Sequence, residues 1–272
     1  MKIFSTQQIR EADAYTIANE PIASIDLMER ASRAFANWFS ERFSISESRI
    51  KIICGLGNNG GDGLAIARML HPFGYDLEVF VVRYSDKTST DFDINFARLS
   101  KQLPIQNIDN QDLVNFDKND LVIDAIFGSG LSRPIEGLVK EIVTKLNLSD
   151  AKVVAVDIPT GLYADSPNNA TDCIVEADFT VSFQLPKLAF MLPQNDKFVG
   201  KWSIVPIGLS QQFIENTETS FYYSDKANSL IKPRQKFSHK GTFGHGLLIA
   251  GSHGMMGAAV LALAKSRFNP PL

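Results

Sequence analysis

Short apolar runs alternate with longer stretches of helical spacing along most of the chain. The apolar runs lie at residues 51–54, 77–82, 121–126, 152–156, 179–183 and 202–206. The stretches of helical spacing between them lie around residues 64–70, 91–103 and 135–146. Strands that are apolar on both faces are typical of a parallel sheet covered by helices on each side. The pattern therefore predicts a doubly wound α/β domain that ends near residue 215.

Two helices are predicted ahead of the first strand. Ser5 and Gln8 form the pattern of a capping box before residues 9–17. Apolar side chains then recur at helical spacing from Leu27 and end near Phe43. We assign this apolar stripe to core packing.

The composition changes after residue 215. Residues 216–239 are polar and carry several lysines and arginines, which indicates a linker or the start of a domain. Residues 246–264 contain no charged side chain and approach the length of a membrane span. Their glycines favour a buried strand, a glycine turn and the start of a helix instead.

Composition and charge exclude several classes of partner. The 272 residues are 44% hydrophobic and 21% charged, which is ordinary for a globular protein. A net charge of −3 gives no electrostatic case for a nucleic-acid or membrane partner. The polar N-terminus lacks the apolar segment of a secretory signal. Cys54 and Cys173, outside any CxxC pattern, predict buried thiols in a reducing, cytoplasmic setting.

A glycine-rich loop follows the first predicted strand. Gly55, Gly57 and Gly60 match GxGxxG, which lets backbone N–H groups approach a phosphate at a helix N-terminus. Dinucleotide sites also carry an acidic residue at the end of the second strand, where this chain has Arg83. The further residues 58–62, Asn-Asn-Gly-Gly-Asp, suit a cation or a sugar hydroxyl. A purely structural tight turn stays open as the alternative.

Two more strand ends carry candidate chemistry. Asp124 closes the third strand ahead of a glycine cradle, and Arg133 in that cradle could bind a phosphate bidentately. Asp157 and Thr160 follow the fourth strand as a candidate acid–base group and a hydroxyl ligand. The carboxyl ends of parallel strands share one edge of the sheet, where ligands bind. The alternatives are capping roles for both aspartates and a solvated surface charge for Arg133.

Proton transfer has few candidates in this chain. The histidines lie at a predicted helix end and in the C-terminal tail. Catalysis would therefore depend on Asp62, Asp124, Asp157 or Lys187. Lys187 follows an apolar strand, but a surface charge is the alternative there.

Three motifs together resemble one family. GNNGGDG at residues 57–63, DAIFGSGLSRP at 124–134 and DIPTG at 157–161 are similar to the YjeF N-terminal family of NAD(P)H-hydrate epimerases. The resemblance covers roughly residues 1–215. It implies a Rossmann-like three-layer αβα sandwich, an isomerase that interconverts the R and S forms of hydrated NADH and NADPH (NADHX and NADPHX), a bound K⁺ and a homodimer.

The resemblance also implies residue roles. The substrate-binding residues would be Asn58, Asn59, Gly60, Gly61, Asp62, Gly128, Ser129, Gly130, Leu131, Ser132, Arg133, Pro134 and Asp157. The K⁺ ligands would be Asn59, Asp124 and Thr160. We expect Asp157 to act as acid and base, with Lys187 assisting. Two positions depart from the family pattern: Leu56 replaces a usual proline, which would loosen the loop, and the extra methyl of Thr160, in place of serine, would crowd the ion.

A second resemblance lies in the tail. KGTFG at residues 240–244 and the segment 247–259 look like the opening of an ADP-dependent NAD(P)H-hydrate dehydratase, a ribokinase-like domain. Such a domain needs many more residues for its own core. We therefore expect residues 216–272 to form a linker and a truncated, incomplete segment without dehydratase activity. Its strand would be mobile or would add to an exposed sheet edge.

Two rival functions are weighed against the epimerase. A non-catalytic module of the same fold that dimerises and contacts RNA would show eroded loops and a basic face, which this sequence lacks. An NAD(P)-dependent oxidoreductase is disfavoured by Arg83 and by the missing histidine or tyrosine–lysine proton relay.

Overall fold

Strands and helices alternate through the first 224 residues of the chain. The structure is a computed structural model, and it describes residues 1–45, 49–224 and 247–268. The chain divides into two units, Met1–Ser224 and Asp225–Leu272. In chain order the first unit contains β1 (Lys2–Ile3), α1 (Thr6–Asn19), α2 (Ser24–Ser40), β2 (Arg49–Cys54), α3 (Asn58–Leu70), β3 (Leu77–Val82), α4 (Thr90–Leu99), β4 (Ile105–Ile108), β5 (Asp120–Ala125), α5 (Gly137–Asn147), β6 (Lys152–Val156), β7 (Phe179–Phe183), α6 (Asp196–Val199), β8 (Lys201–Val205), α7 (Gln211–Asn216) and β9 (Phe221–Tyr222).

The central sheet of this unit is parallel. Within the described residues it has the strand order β4-β3-β2-β5-β6-β7-β8, and every neighbouring pair is parallel. The chain runs outward from β2 to β4 and then returns to start the other half at β5. Ile53 of β2 pairs with Asp124 of β5 at this reversal. A ligand crevice is expected at such a switch point, outside the carboxyl ends of the strands.

Helices cover both faces of the sheet. Side chains of a strand alternate between faces, so Ile52 packs with residues of α2, α3 and α4 while Ile53 packs with residues of α5. The result is three layers around two apolar clusters. The predicted α/β sandwich with a parallel sheet is confirmed.

Local signals predicted the start of α1 well. The Ser5 hydroxyl accepts from the Gln8 backbone N–H at 3.2 Å, and the Gln8 side chain accepts from the Ser5 N–H at 3.0 Å. This reciprocal pair is the capping box expected from the sequence. It fixes the direction of α1.

The helix after the glycine loop begins earlier than predicted, at Asn58 rather than near residue 64. The glycines explain this difference. A Cβ on Gly60 would lie 2.0 Å from the carbonyl oxygen of Gly55, and a Cβ on Gly63 would lie 2.6 Å from the Cβ of Ala125. The first turns of α3 therefore press directly against the strand ends, and the motif is helix rather than loop.

Three short strands were not predicted. β4 is an edge strand with the sequence Ile-Gln-Asn-Ile, and its two polar residues are exposed, so it lacks a long apolar pattern. β1 and β9 pair antiparallel, with Lys2 opposite Tyr222 and Ile3 opposite Phe221. The first unit therefore extends past the predicted boundary at residue 215 to Ser224.

The second unit is described from residue 247 to 268. Helix α8 (Gly257–Phe268) follows a turn that is closed by a bridge between Ser252 and Met255. The glycine turn and the helix are as predicted, whereas residues 247–250 form no strand. A strand needs a neighbour for its backbone groups, and this described stretch offers none. The lysines and arginines of residues 216–239 and the KGTFG motif lie outside the described residues. Within the part of the chain that the structure describes, no helix is long and apolar enough to cross a membrane.

Candidate functional site

A cavity of about 800 Å³ opens at the carboxyl end of the sheet, beside the reversal between β2 and β5. The predicted site residues that line it are Asn58, Asn59, Asp62, Gly128, Ser129, Gly130, Leu131, Ser132, Arg133, Pro134, Asp157 and Lys187. Gly60 and Gly61 do not line it: a Cβ on Gly60 would meet the Gly55 backbone, and a Cβ on Gly61 would meet the Met28 side chain. Asp124 and Thr160 also lie below the lining, where both are buried. The structure thus brings the three motifs to one place.

The predicted cation ligands meet around the backbone of Phe127 and Gly128. Asp124 accepts the Thr160 N–H at 2.8 Å and the Thr160 hydroxyl at 2.7 Å. The same hydroxyl accepts the Phe127 N–H at 3.0 Å. A Cβ on Gly128 would lie 3.2 Å from Oδ1 of Asn59, so the amide covers this peptide.

The donor set of this cluster fits a hard monovalent cation. It offers amide, hydroxyl and backbone oxygens with a single carboxylate. The buried Nδ2 of Asn59 has no hydrogen-bond partner among the described residues. The Oδ1 of the same amide faces the Gly128 backbone. Burial raises the pKa of Asp124 to about 6, against the lowering effect of the bonds from Thr160 and Ile126. A nearby cation would favour its ionised form.

Asp157 sits in a constrained backbone conformation at the end of β6. Its φ of 65° lies in the left-handed region that residues other than glycine seldom adopt. Its Oδ1 accepts from Lys187 Nζ at 2.8 Å and from the Phe183 N–H at 3.1 Å. The Ser182 hydroxyl approaches the same oxygen at 3.4 Å. These bonds leave Oδ2 as the oxygen available to the cavity.

Lys187 is buried, so it is not a surface charge. Its side chain is only 2% exposed, and its ammonium bonds to Asp157 and, at 3.1 Å, to the Ser182 hydroxyl. A buried ammonium is stable only when paired and hydrogen-bonded. The Asp157–Lys187 ion pair is therefore an ordered part of the cavity wall.

Sequence analysis missed the residues that α1 contributes. Arg10 and Asp13 both line the cavity. Burial and the charge of Asp157 raise the pKa of Asp13 to about 6, whereas Lys187 lowers it. Burial, followed by Asp157, also raises the pKa of Asp62 well above its ordinary value. Charges at this spacing on a helix are usually solvated, so the sequence alone gave no signal for α1.

Tyr84 was also missed, and it corrects the expectation for Leu56. The Tyr84 hydroxyl accepts the Leu56 N–H at 3.1 Å, a bond that a proline could not donate. The Leu56 carbonyl accepts the Ser89 N–H at 3.0 Å, and the Leu56 side chain is buried. The loop is therefore held on both sides rather than loosened. Tyr84 lines the cavity and packs its ring against Phe127 at 5.0 Å.

The remaining candidates have structural positions. Arg83 donates to Asn107 at 2.7 Å and lies over the ring of Phe96, so it contacts the β4 edge. Cys54 is buried and free, and its burial raises the pKa of the thiol above its ordinary range. Cys173 is free but only half-buried, so the expected burial holds for Cys54 alone.

Comparison with known proteins places these motifs in a family. The sequence profile described as YjeF-related protein N-terminus matches residues 24–189. A bifunctional NAD(P)H-hydrate repair enzyme of Thermofilum pendens is 32% identical over 266 residues, which cover 96% of this chain and 50% of that protein. An NAD(P)H-hydrate epimerase of Limosilactobacillus fermentum is 35% identical over 196 residues, covering 71% of this chain and 91% of that protein.

The fold has a known counterpart as well. A yeast crystal structure aligns with a TM-score of 0.63 at 24% identity and covers 83% of this chain and 98% of its own. That likeness bears on the fold alone. The chain spans about half the length of the bifunctional relatives that it matches. By its profile match and by its identity to relatives of nearly full length, the chain belongs to the YjeF-related protein N-terminus family.

Proposed function

We propose that this protein interconverts the R and S epimers of NADHX and NADPHX. The observation that carries the proposal is the buried Asp157–Lys187 pair, which faces one cavity together with a glycine cradle. Relatives named NAD(P)H-hydrate epimerase match this part of the chain over most of their own length.

The chemistry that this substrate needs is modest. The hydroxyl of NADHX sits on the carbon beside the ring nitrogen, whose lone pair can expel it. Asp157 protonates the departing hydroxyl, and water then adds to the planar iminium. Acid–base help of this kind is worth roughly 10²–10⁴-fold in rate. Lys187 is a positioning residue, because its ammonium holds Oδ1 and leaves Oδ2 to the substrate.

The cradle at residues 128–134 provides the phosphate end of the site. Its glycines bring backbone close to the cavity, and Arg133 is exposed there without an ion pair among the described residues. A guanidinium can hold a phosphate through two parallel hydrogen bonds. The pyrophosphate would thus lie at the cradle, with the hydrated ring toward Asp157.

We further propose that Asn59, Asp124 and Thr160 hold K⁺. The bound ion would supply a positive charge beside the Asp124 carboxylate. The hydrogen bond between Thr160 and Asp124 connects the chain after β6 to the end of β5. Asn59, which lies on α3, contacts the same region through Gly128. These residues therefore fix the relative positions of the three motifs.

A coupled assay tests the proposed function. The protein is incubated with R-NADHX and a separate dehydratase that acts only on the S form. The wild type should clear the R form, and Asp157→Asn should fall to the uncatalysed rate. Glu141→Gln, on the exposed side of α5, is the matched control. Near-normal turnover by Asp157→Asn would reject the role of Asp157, and no clearance by the wild type would reject the function.

Assembly and location are also proposals. We propose a homodimer, as the family resemblance implies, and light scattering on the purified protein tests it. We propose a cytoplasmic location, since both cysteines are free thiols of the kind that a reducing compartment maintains. We propose no nucleic-acid or membrane partner, in keeping with the net charge of −3.

A further inference from the structure

Epimerisation by loss and return of water requires chemistry on both faces of one ring. The hydroxyl departs from one face of the ring, and the new hydroxyl must arrive on the other. Asp157 cannot move between the faces, because Lys187 and the Phe183 N–H hold its carboxylate. A second acid–base group is therefore needed across the cavity, provided that the proposed function holds.

Helix α1 brings one carboxylate to the cavity. Ile9, Arg10, Asp13 and Ile17 line it, and their spacing defines one face of the helix. Asp13 is half-buried, and no hydrogen bond or ion pair engages its carboxylate among the described residues. The charges of Asp157 and Lys187 both act on Asp13, which lines the same cavity as that pair.

The other carboxylates of the cavity are less suited to this role. Asp62 is held by the Ser32 hydroxyl at 3.4 Å. Asp91 accepts the Ser24 hydroxyl at 2.6 Å. Glu136 is exposed and directly follows the cradle segment, at the phosphate end of the site. Among the described residues, Asp13 is the cavity carboxylate within the field of the reacting pair whose two oxygens both lack a hydrogen bond.

The position of Asp13 is fixed through the anchoring of α1. The Thr6 hydroxyl donates to the Ser129 carbonyl at 3.2 Å and ties the first turn of the helix to the cradle. Near the other end, the Thr16 hydroxyl accepts the Ser210 N–H at 2.9 Å. A catalytic carboxylate must be held in place in this way to act efficiently.

We propose that Asp13 is the second catalytic acid–base group and serves the ring face opposite to that served by Asp157. The charged groups that act on Asp13 are Asp157, Lys187 and Asp62 of α3, and Arg10 of its own helix lines the same cavity. Burial and Asp157 bring its pKa to about 6, close enough to neutrality for it to gain and lose a proton during turnover.

The step balances in atoms and electrons. In one direction, protonated Asp13 gives its proton to the hydroxyl on its own face, the C–O bond breaks with its electron pair on oxygen, and the ring-nitrogen lone pair forms the C=N bond. Water then adds from the other face, and the Asp157 carboxylate, paired with Lys187, takes its proton as the new C–O bond forms. One water leaves and one enters, with no oxidant or reductant. The proton that has moved from Asp13 to Asp157 returns in the reverse direction, in which Asp157 protonates the departing hydroxyl, or through exchange with solvent.

Oxygen exchange separates the two faces experimentally. Each NADHX epimer is incubated in ¹⁸O-water with wild type, Asp13→Asn or Asp157→Asn, and label and configuration are followed together. With Asp13→Asn we expect one epimer to take up label without inverting, while inversion falls roughly 10²–10⁴-fold. With Asp157→Asn we expect the other epimer to take up label without inverting. Asp13→Glu should recover part of the inversion, and Glu11→Gln, exposed on the same helix, should match the wild type.

Three results would overturn the proposal. Normal inversion by Asp13→Asn removes any need for a second group. Parallel loss of exchange and inversion for both epimers, in a variant that unfolds like the wild type, assigns Asp13 a merely structural role. A wild type that neither exchanges nor inverts rejects the proposed function itself, and the role of Asp13 with it.

Discussion

At the scale of single residues, the cavity concentrates carboxylates around one lysine. Asp157 is paired with Lys187, and burial followed by the charge of Asp157 raises the pKa values of both Asp13 and Asp62. Such an arrangement is unfavourable for stability and is typical of functional sites.

The Asp157–Lys187 pair is predicted to be mutually dependent. Lys187→Met leaves a buried carboxylate without its partner, and the free energy of unfolding should fall by about 3–5 kcal/mol. The double variant Asp157→Asn with Lys187→Gln removes both charges and should recover part of that loss. Urea unfolding measures both. A single variant as stable as the wild type would show that the pair is solvated.

Asp13 is predicted to make stability depend on pH. Its folded pKa of about 6 exceeds the unfolded value of 3.8, so between these values the folded state binds more protons. Its contribution is therefore most favourable below pH 3.8 and is lost as the pH rises through 6. Asp13→Asn should be more stable than wild type at pH 8 by up to about 3 kcal/mol, with a smaller difference at low pH. A difference that does not vary with pH in urea unfolding contradicts this.

At the scale of elements, the contact between α3 and the strand ends decides the shape of the site. From the sequence, the glycines of the motif predict a loop whose backbone N–H groups can approach a phosphate and whose residues 58–62 suit a cation or a sugar hydroxyl. Gly60 and Gly63 instead allow the helix to touch the ends of β2 and β5. Gly57, which caps α3 and has open space beside it, is the glycine that faces the cavity.

A pair of alanine substitutions tests this distinction. A Cβ on Gly63 would come within 2.6 Å of Ala125 and 2.8 Å of Cys54 Sγ. Gly63→Ala should therefore cost about 1–3 kcal/mol by overpacking. Gly57→Ala meets nothing within 4 Å and should change thermal stability little. Equal effects of the two changes on the free energy of unfolding would count against close packing as the reason.

How much the sequence could predict depends on the range of each signal. Most central strands, the capping box and the three loop motifs are local patterns, and the structure contains them. Asp13 and Tyr84 approach the site from α1 and from the end of β3, through packing that no local pattern encodes. The edge strand β4 and the β1–β9 pair were missed because pairing, rather than apolarity, defines them.

At the scale of the whole molecule, the cluster of Asn59, Asp124 and Thr160 joins both halves of the sheet. α3 follows β2 on one side of the reversal, while Asp124 and Thr160 follow β5 and β6 on the other. An ion bound here would stabilise the folded state as a whole, because its ligands are far apart in the unfolded chain.

Potassium is therefore predicted to raise the unfolding temperature. At about 100 times its dissociation constant, a ligand adds about 2.7 kcal/mol to stability. The shift should appear with KCl, be absent with choline chloride at equal ionic strength, and disappear in Asn59→Ala. An equal rise of the unfolding temperature with both salts would indicate a general salt effect and would contradict a specific K⁺ site.

The pairing of β1 with β9 has a practical consequence. The amino group of Met1 donates to the Tyr223 carbonyl at 2.8 Å, and the Lys2 ammonium caps the carbonyls of Ile214, Glu215 and Thr217. A recombinant fragment that ends at residue 215 would lose the β1–β9 pairing and the contacts of Met1 with Tyr223 and of Lys2 with Thr217. The segment before α1 would then be released, and the position of Asp13 on α1 would be less well fixed. A fragment that ends at Ser224 keeps the β1–β9 pairing. Because the two ends of this unit lie next to each other, the unit should also tolerate circular permutation.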